Sequence, residues 1–306
     1  MKDNYETATP PEKLAESRSE RERLLAKWSF EPISMWWITK IHNTTLDAIV
    51  EDTLAQGSYP KHNFSVRSGA LPQSSPIVAE RIIKFWSEPG DVVLNPFAER
   101  LPHLLVANYL GRHVIGQDIC KKFYKHGVEK VKKRILQNSF LDPENNYILK
   151  ETETELNARL NGLNFHIKCA DSRKLNLPDN SVDLIIDSPP YWNTIYYGDE
   201  PEQIGTGGKP TYEEFLKSLQ GIYRECYRVL KPGKFCVNIL NDFRMNQKFY
   251  SYHADVIRLC EEIGFAMHDL VIYNLSTHPL QSIFATQLER DKHTAKAHEF
   301  IEVFRK

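Results

Sequence analysis

The chain predicts an α/β fold built on a mostly parallel, doubly wound sheet, and three observations carry that prediction. From residue 76 onward, helical periodicity alternates with short apolar runs of strand length. Those runs are nearly continuous, as in Val92-Val93-Leu94 and Val182 to Ile186, the pattern of strands covered on both faces. Turn signals punctuate the alternation at Pro89-Gly90, Gly111, Lys231-Pro232-Gly233 and Gly264. Ligands of such sheets sit at the carboxyl ends of the strands.

The elements follow in order. Residues 1–30 read as a charged helix, and 31–60 carry an aromatic cluster (Trp36, Trp37, Tyr59) without a clear period. Residues 1–60 are therefore expected to form a helical and aromatic extension, and 61–306 the main domain. Ser75 is placed to cap a helix from Pro76, at its first position, through Trp86. A strand at 92–94, a helix at 99–110 stopped by Gly111, a strand at 113–119 and a basic helix at 121–137 come next. Residues 138–162 are polar and read as an irregular insertion. Strands at 165–169 and 182–186, a helix at 212–230, a strand at 235–240, a helix near 250–263 and strands at 271–275 and 300–304 complete the chain. That makes seven strands.

Composition narrows the function classes. The chain has 306 residues, of which 41% are hydrophobic, enough for a substantial core. No apolar run approaches the ~20 residues of a membrane span, and the first residues lack a signal-peptide core. A soluble, cytoplasmic protein without membrane contact is expected. The five cysteines, at 120, 169, 226, 236 and 260, include no Cys-x-x-Cys pair, and His293 and His298 have no companion cysteines. Neither a disulfide framework nor a metal site is expected. A net charge of −1 argues against a wholly basic surface but leaves room for a local nucleic-acid face. The strongest cationic segment is residues 121–134, with seven Lys or Arg, which a solvated helix face explains equally well. Arg290, Lys292, His293 and Lys296 form a weaker one.

Ser188-Pro189-Pro190-Tyr191, directly after the run 182–186, is the most informative text in the chain. Consecutive prolines cannot donate to a sheet ladder, so the strand stops there. A hydroxyl, stiff carbonyls and an aromatic face at the tip of a buried strand make a receptor for a planar amine. Ser188 and the Pro189 carbonyl can accept hydrogen bonds from an exocyclic NH2, and Tyr191 can stack on the ring that bears it. At the end of the second strand, Asp118 can accept hydrogen bonds from both hydroxyls of a ribose.

With these residues the chain resembles the amino-methyltransferases of DNA, whose signature is Asp/Asn/Ser-Pro-Pro-aromatic. The likeness extends through 187–205, 212–242, 298–306 and, upstream, 88–119, covering roughly residues 60–306. It implies a Rossmann-like, seven-stranded methyltransferase fold of strand order 3-2-1-4-5-7-6, the seventh strand antiparallel. It implies S-adenosylmethionine as cofactor and double-stranded DNA as partner, with the target base flipped out. The Ser form implies cytosine N4 in preference to adenine N6, and related chains serve restriction-modification. Ser188, Pro189, Pro190 and Tyr191 would form the catalytic loop, with Trp192 and Asn193 beside the base. Asn95, Phe97, Asp118, Asp171 and Ser172 would hold the cofactor. Sequence recognition would fall to 1–60, 138–162 or the loop 193–211, which carries Tyr196, Tyr197, Gly205, Gly207 and Gly208.

The chain departs from the family at one place. The usual Asp-Pro-Phe-x-Gly-Ser-Gly-Thr-Thr reads Asn95-Pro96-Phe97-Ala98-Glu99-Arg100-Leu101-Pro102-His103 here, without either glycine. Three accounts stay open. The loop binds S-adenosylmethionine, with Arg100 pairing its carboxylate and Asn95 its amine; or it accepts another donor; or the chain is a nucleic-acid-binding member of a homo- or hetero-oligomer that binds no donor.

Overall fold

The computed structural model describes residues 35–37, 76–99, 101–141, 147–160, 162–195, 197–205, 210–274, 292 and 298–306. The expected extension 1–60 lies outside these residues apart from 35–37, as do Ser75, Arg100, Tyr196, Gly207, Gly208, Arg290, His293 and Lys296.

The described strands are β1 (Met35–Trp37), β2 (Val92–Asn95), β3 (His113–Asp118), β4 (Ile148–Glu151), β5 (Glu155–Leu160), β6 (Leu163–Cys169), β7 (Val182–Asp187), β8 (Leu230–Leu240), β9 (Phe243–Met245), β10 (Lys248–Tyr250), β11 (Ala266–Asn274) and β12 (His298–Arg305). The helices are α1 (Pro76–Trp86), α2 (Pro102–Tyr109), α3 (Lys121–Leu141), α4 (Tyr212–Val229) and α5 (Tyr252–Ile263). Ten strands form one sheet in the order β1-β11-β12-β8-β7-β2-β3-β6-β5-β4. From β6 to β11 this is the predicted 3-2-1-4-5-7-6. Neighbours from β6 to β8 are parallel, and β12 runs antiparallel between β8 and β11.

Burial explains the centre of the sheet. Every residue of β7 is buried, as its apolar run requires of a strand covered on both faces. Helix α4 is held at its start by a reciprocal cap, in which Thr211 Oγ1 accepts from the Glu214 N–H and Glu214 Oε2 accepts from the Thr211 N–H. Its apolar stripe, Phe215, Leu219, Ile222 and Tyr223, lies in the core with Tyr252 and Val256 of α5. Gly116 lets α2 approach β3, since a Cβ there would stand 2.4 Å from Leu104 Cδ1.

Several expectations need correction. The described residues within 138–162 are not irregular: α3 runs to Leu141, and β4 and β5 form a hairpin that extends the sheet edge beside β6. Leu156, Ala158 and Leu160 point into the core on alternate residues, a period-two signal present in the sequence. Met35–Trp37 adds a strand parallel to β11 at the other edge. Helix α2 starts at Pro102 rather than 99, because Glu99 (φ 42°) and Leu101 (φ 67°) are left-handed and cannot be helical. β8 begins at Leu230, through Lys231-Pro232-Gly233, and β11 at Ala266. The hairpin β9–β10, unanticipated, turns through Asn246 and Gln247, both at positive φ, as a two-residue turn requires.

Candidate active site

At the end of β7, Ser188 lines a cleft and its hydroxyl has no hydrogen-bond partner among the described residues. Pro189 is buried, and its carbonyl is likewise unengaged among them. The Pro190 carbonyl is taken: the Tyr252 hydroxyl donates to it at 2.9 Å. The Tyr191 ring is half-buried against Tyr252 (centroids 5.8 Å apart) and Phe243 (6.3 Å). Its carbonyl accepts from the Thr194 hydroxyl at 2.6 Å, closing a tight turn. Trp192, at φ 38°, is buried against Tyr212 and Tyr250, and its Nε1 donates to the Pro210 carbonyl at 2.8 Å. Asn193 Nδ2 donates to the same carbonyl at 3.3 Å. Two prolines and an interlocked aromatic cluster thus hold the loop stiffly, leaving the Ser188 hydroxyl as its open polar group on the cleft.

Across the cleft stands the loop after β2. Phe97 lines it and meets Tyr223 edge-on at 6.5 Å. Asn95 turns away from it. Its Oδ1 accepts from the Phe97 N–H at 2.9 Å and its Nδ2 pairs with His103 Nδ1 at 3.1 Å, both side chains being buried. Burial pulls the His103 imidazole down to about 4, so it is neutral and able to accept from Asn95. Asn95 therefore braces the loop from beneath. Leu101 is buried, and Gly127 of α3 makes room for it, since a Cβ there would lie 2.9 Å from Leu101 Cδ1. Arg100 lies outside the described residues.

Asp118 also lines the cleft. Its Oδ2 accepts from the Glu99 N–H and its Oδ1 from the Cys120 N–H, both at 2.8 Å, which leaves one lone-pair direction on each oxygen. Burial raises this carboxyl to about 6, against the opposing pull of the two N–H bonds. Asp171 lines the cleft too but is paired with Arg173, Oδ2 to Nη2 at 2.6 Å. The Ser172 hydroxyl donates to the Pro96 carbonyl at 2.7 Å, tying the loop after β6 to the loop after β2.

The cleft lies at the carboxyl ends of β2, β3, β6 and β7. It joins Phe97, Asp118, Asp171, Ser172, Ser188 and Pro190 of the expected residues. Asn95, Pro189, Tyr191, Trp192 and Asn193 do not line it. The sequence reading missed the wall formed by 197–205. Cys120 Sγ donates to the Tyr197 carbonyl at 3.3 Å, Glu200 Oε1 accepts from the Lys121 N–H at the start of α3, and Arg173 Nη2 donates to the Glu202 carbonyl. An acidic residue three to five positions after two tyrosines carries no pattern that marks it as a helix cap.

A second feature was not legible. Asp187, Asn238 and Glu302 stand side by side on β7, β8 and β12, fully buried. Burial pushes Asp187 up to about 8, although the Tyr223 hydroxyl donates to its Oδ1 at 3.2 Å. Burial, then the nearby Asp187 and Asp242, push Glu302 up as well. Burial thus holds the carboxyl directly before Ser188 well above the usual carboxylate range.

Residues 182–306 match the model of a family described as DNA methylase. Over that stretch the chain is similar to the DNA methylase family. The matched segment contains the Ser-Pro-Pro-Tyr loop and the hairpin β9–β10, whereas the loop 95–103 precedes it. Among curated relatives, the chain is 30% identical over 105 residues to the type II methyltransferase M.MjaVI of Methanocaldococcus jannaschii, covering 34% of this chain and 50% of that one. It is 38% identical over 92 residues to the type II methyltransferase M.Cfr9I of Citrobacter freundii, covering 30% of each. The chain thus spans half or less of the length of these relatives. Among solved structures, TTHA0409, a candidate DNA modification methylase of Thermus thermophilus complexed with S-adenosyl-L-methionine, matches at 28% identity over 45% of this chain and 53% of that one, with a TM-score of 0.33. Among the described residues, no helix is long and apolar enough to cross a membrane.

Proposed function

We propose that this chain is an S-adenosylmethionine-dependent DNA methyltransferase that acts on an exocyclic amine, cytosine N4 in preference to adenine N6. One observation carries the proposal: an unengaged Ser188 hydroxyl opens on the same cleft as Asp118 and Phe97, within a chain whose residues 182–306 match the DNA methylase family model. The cofactor fits the residues present. Asp118 keeps a free lone pair on each oxygen for ribose hydroxyls, and Phe97 offers an apolar wall for an adenine ring. When bound, S-adenosylmethionine supplies an electrophilic methyl group.

The chain's own part is positioning. An exocyclic amine is a weak nucleophile because its lone pair is delocalised into the ring. Ser188 Oγ and the Pro189 carbonyl accept its two N–H bonds, orienting nitrogen and favouring a pyramidal geometry. Tyr191 stacks on the flipped base, and Trp192 and Asn193 hold Tyr191 by anchoring the loop to Pro210. Fixing nitrogen along the transfer axis lowers the barrier mainly through orientation. The preference for cytosine N4 rests on serine at position 188, by the resemblance.

The rival reading, a nucleic-acid-binding subunit that uses no donor, is favoured by the glycine-free loop. Opposing it, Glu99 and Leu101 hold positive φ where the family carries glycine, so the loop's path is kept without the usual residues. The test is transfer from methyl-labelled S-adenosylmethionine to mixed-sequence DNA, followed by digestion to nucleosides and mass spectrometry. Label in N4-methylcytosine supports the proposal in full, label in N6-methyladenine corrects the base, and unlabelled DNA rejects the activity.

A further inference from the structure

The hairpin β9–β10 has two unlike faces. Phe243, Met245 and Tyr250 turn inward, where Phe243 and Tyr250 stack at 5.1 Å and join the cluster that holds Tyr191 and Trp192. Arg244 and Phe249 turn outward on the other face, while Lys248, opposite Met245, shares the side of Tyr250; all three are exposed. The Arg244 guanidinium lies over the Phe249 ring at 4.9 Å, and the Lys248 ammonium over Tyr250 at 4.8 Å. Neither cation has an ion pair among the described residues, while Lys84, Lys132, Arg173, Arg228, Lys231 and Lys234 all do. Two carboxylates of adjoining elements are committed elsewhere: Asp242 to His253 at 2.7 Å, and Asp255 to Tyr212 and Arg258.

We infer that this hairpin is a phosphate clamp, with Lys248 on the side of the catalytic loop and Arg244 on the opposite side each contacting the DNA backbone beside the base presented to Ser188. The inference rests on the proposed DNA substrate and assigns the contact to an element outside the catalytic loop. Three points support it. The hairpin packs directly on Tyr191 and Trp192 through Phe243 and Tyr250, and Lys248 stands on that same side, next to the loop that receives the base. A two-residue turn and a stacked inner face make it rigid, so its cations are placed without the entropy cost of ordering a floppy loop. Stacking on the aromatic rings holds both long side chains extended while leaving their N–H donors free for phosphate oxygens. The same packing gives the clamp an effect on the reaction: backbone held here keeps the flipped nucleotide over Tyr191.

The test uses the full chain, a mixed-sequence DNA duplex and fluorescence anisotropy across a salt series. Each phosphate contact adds about one to the slope of log affinity against log salt. Arg244→Ala and Lys248→Ala should each lower that slope by about 1, and the double variant by about 2, with the same weakening on unrelated duplexes. S-adenosylmethionine affinity, measured by calorimetry, should stay at the wild-type value, since neither residue lines the cleft. Wild type that binds DNA with a double variant of unchanged slope overturns the clamp and leaves the proposed function standing. Wild type that binds no duplex overturns both.

Discussion

The two loops that face each other across the cleft reach stiffness by opposite routes. The loop 187–193 keeps the family's text, and its rigidity is written in the residues: two prolines, then aromatics locked against Phe243, Tyr250 and Tyr252. The loop 95–101 has lost that text but kept a glycine-like path. Glu99 and Leu101 take the left-handed conformation at the two glycine positions, which costs roughly 1–2 kcal/mol for each non-glycine residue. Compensation comes from elsewhere. Leu101 is buried in a space left by Gly127, the Glu99 N–H is bound by Asp118, and Asn95 and His103 brace the loop from below. A left-handed backbone can thus be held at non-glycine residues, provided that tertiary contacts support it.

The comparison breaks first at Leu101. If its burial offsets the strain, Leu101→Ala keeps the strain and loses the packing. Unfolding in denaturant should then show a loss of about 2–5 kcal/mol, the range for Leu→Ala in a core. A loss under about 1 kcal/mol would mean that the loop is held by something else.

Asp118 comes next. Asp118→Ala should weaken S-adenosylmethionine binding by roughly 1.5–3 kcal/mol, the range for hydrogen bonds to a charged group, as read by calorimetry. The sign of its pH dependence follows from burial, which raises the carboxyl to about 6. Above that value it is ionised and accepts from hydroxyls; as pH falls through about 6 it takes up a proton and donor affinity should drop. Affinity that is flat between about pH 5 and about pH 7, a range that brackets this value, would remove Asp118 from the site.

On the opposite loop, Tyr191→Ala should lower turnover on DNA by the equivalent of about 1–3 kcal/mol, the worth of one base–aromatic stack. Tyr191→Phe should retain most activity, because the face rather than the hydroxyl makes the stack. An alanine variant with wild-type turnover would separate Tyr191 from the substrate. The smallest effect is expected at Glu99. Glycine accepts positive φ at no steric cost, so Glu99→Gly should raise stability by up to about 1 kcal/mol. A destabilised Glu99→Gly would show that the Glu99 side chain, not its backbone, shapes the loop.

Much of the fold was legible because strands buried on both faces must be apolar throughout. β2 and β7 announced themselves in that way, β3 and β6 showed shorter apolar stretches with partial burial, and the strand order came through the resemblance. The parts that escaped lie at the edges. β4 is exposed along its whole length, so no burial pattern marks it, and β5 alternates over only three buried positions. The hairpin β9–β10 was hidden because an Asn-Gln turn lacks the glycine that usually flags one. At the site, residues whose side chains carry the chemistry could be named from the motif. What could not be read was the geometry beneath them: that Asn95 points at His103 rather than at a ligand, that Tyr252 consumes the Pro190 carbonyl, and that the Tyr223 hydroxyl donates to a buried Asp187. Each depends on a partner 8 to 62 residues away in the chain.

The central claim is that the loop 95–101, without glycine, still shapes a donor site. Calorimetric titration of the full chain with S-adenosylmethionine, with and without duplex DNA, tests it most directly. The account predicts saturable binding that Asp118→Ala weakens and Glu99→Gly preserves. Absence of binding at millimolar donor in both conditions would contradict it.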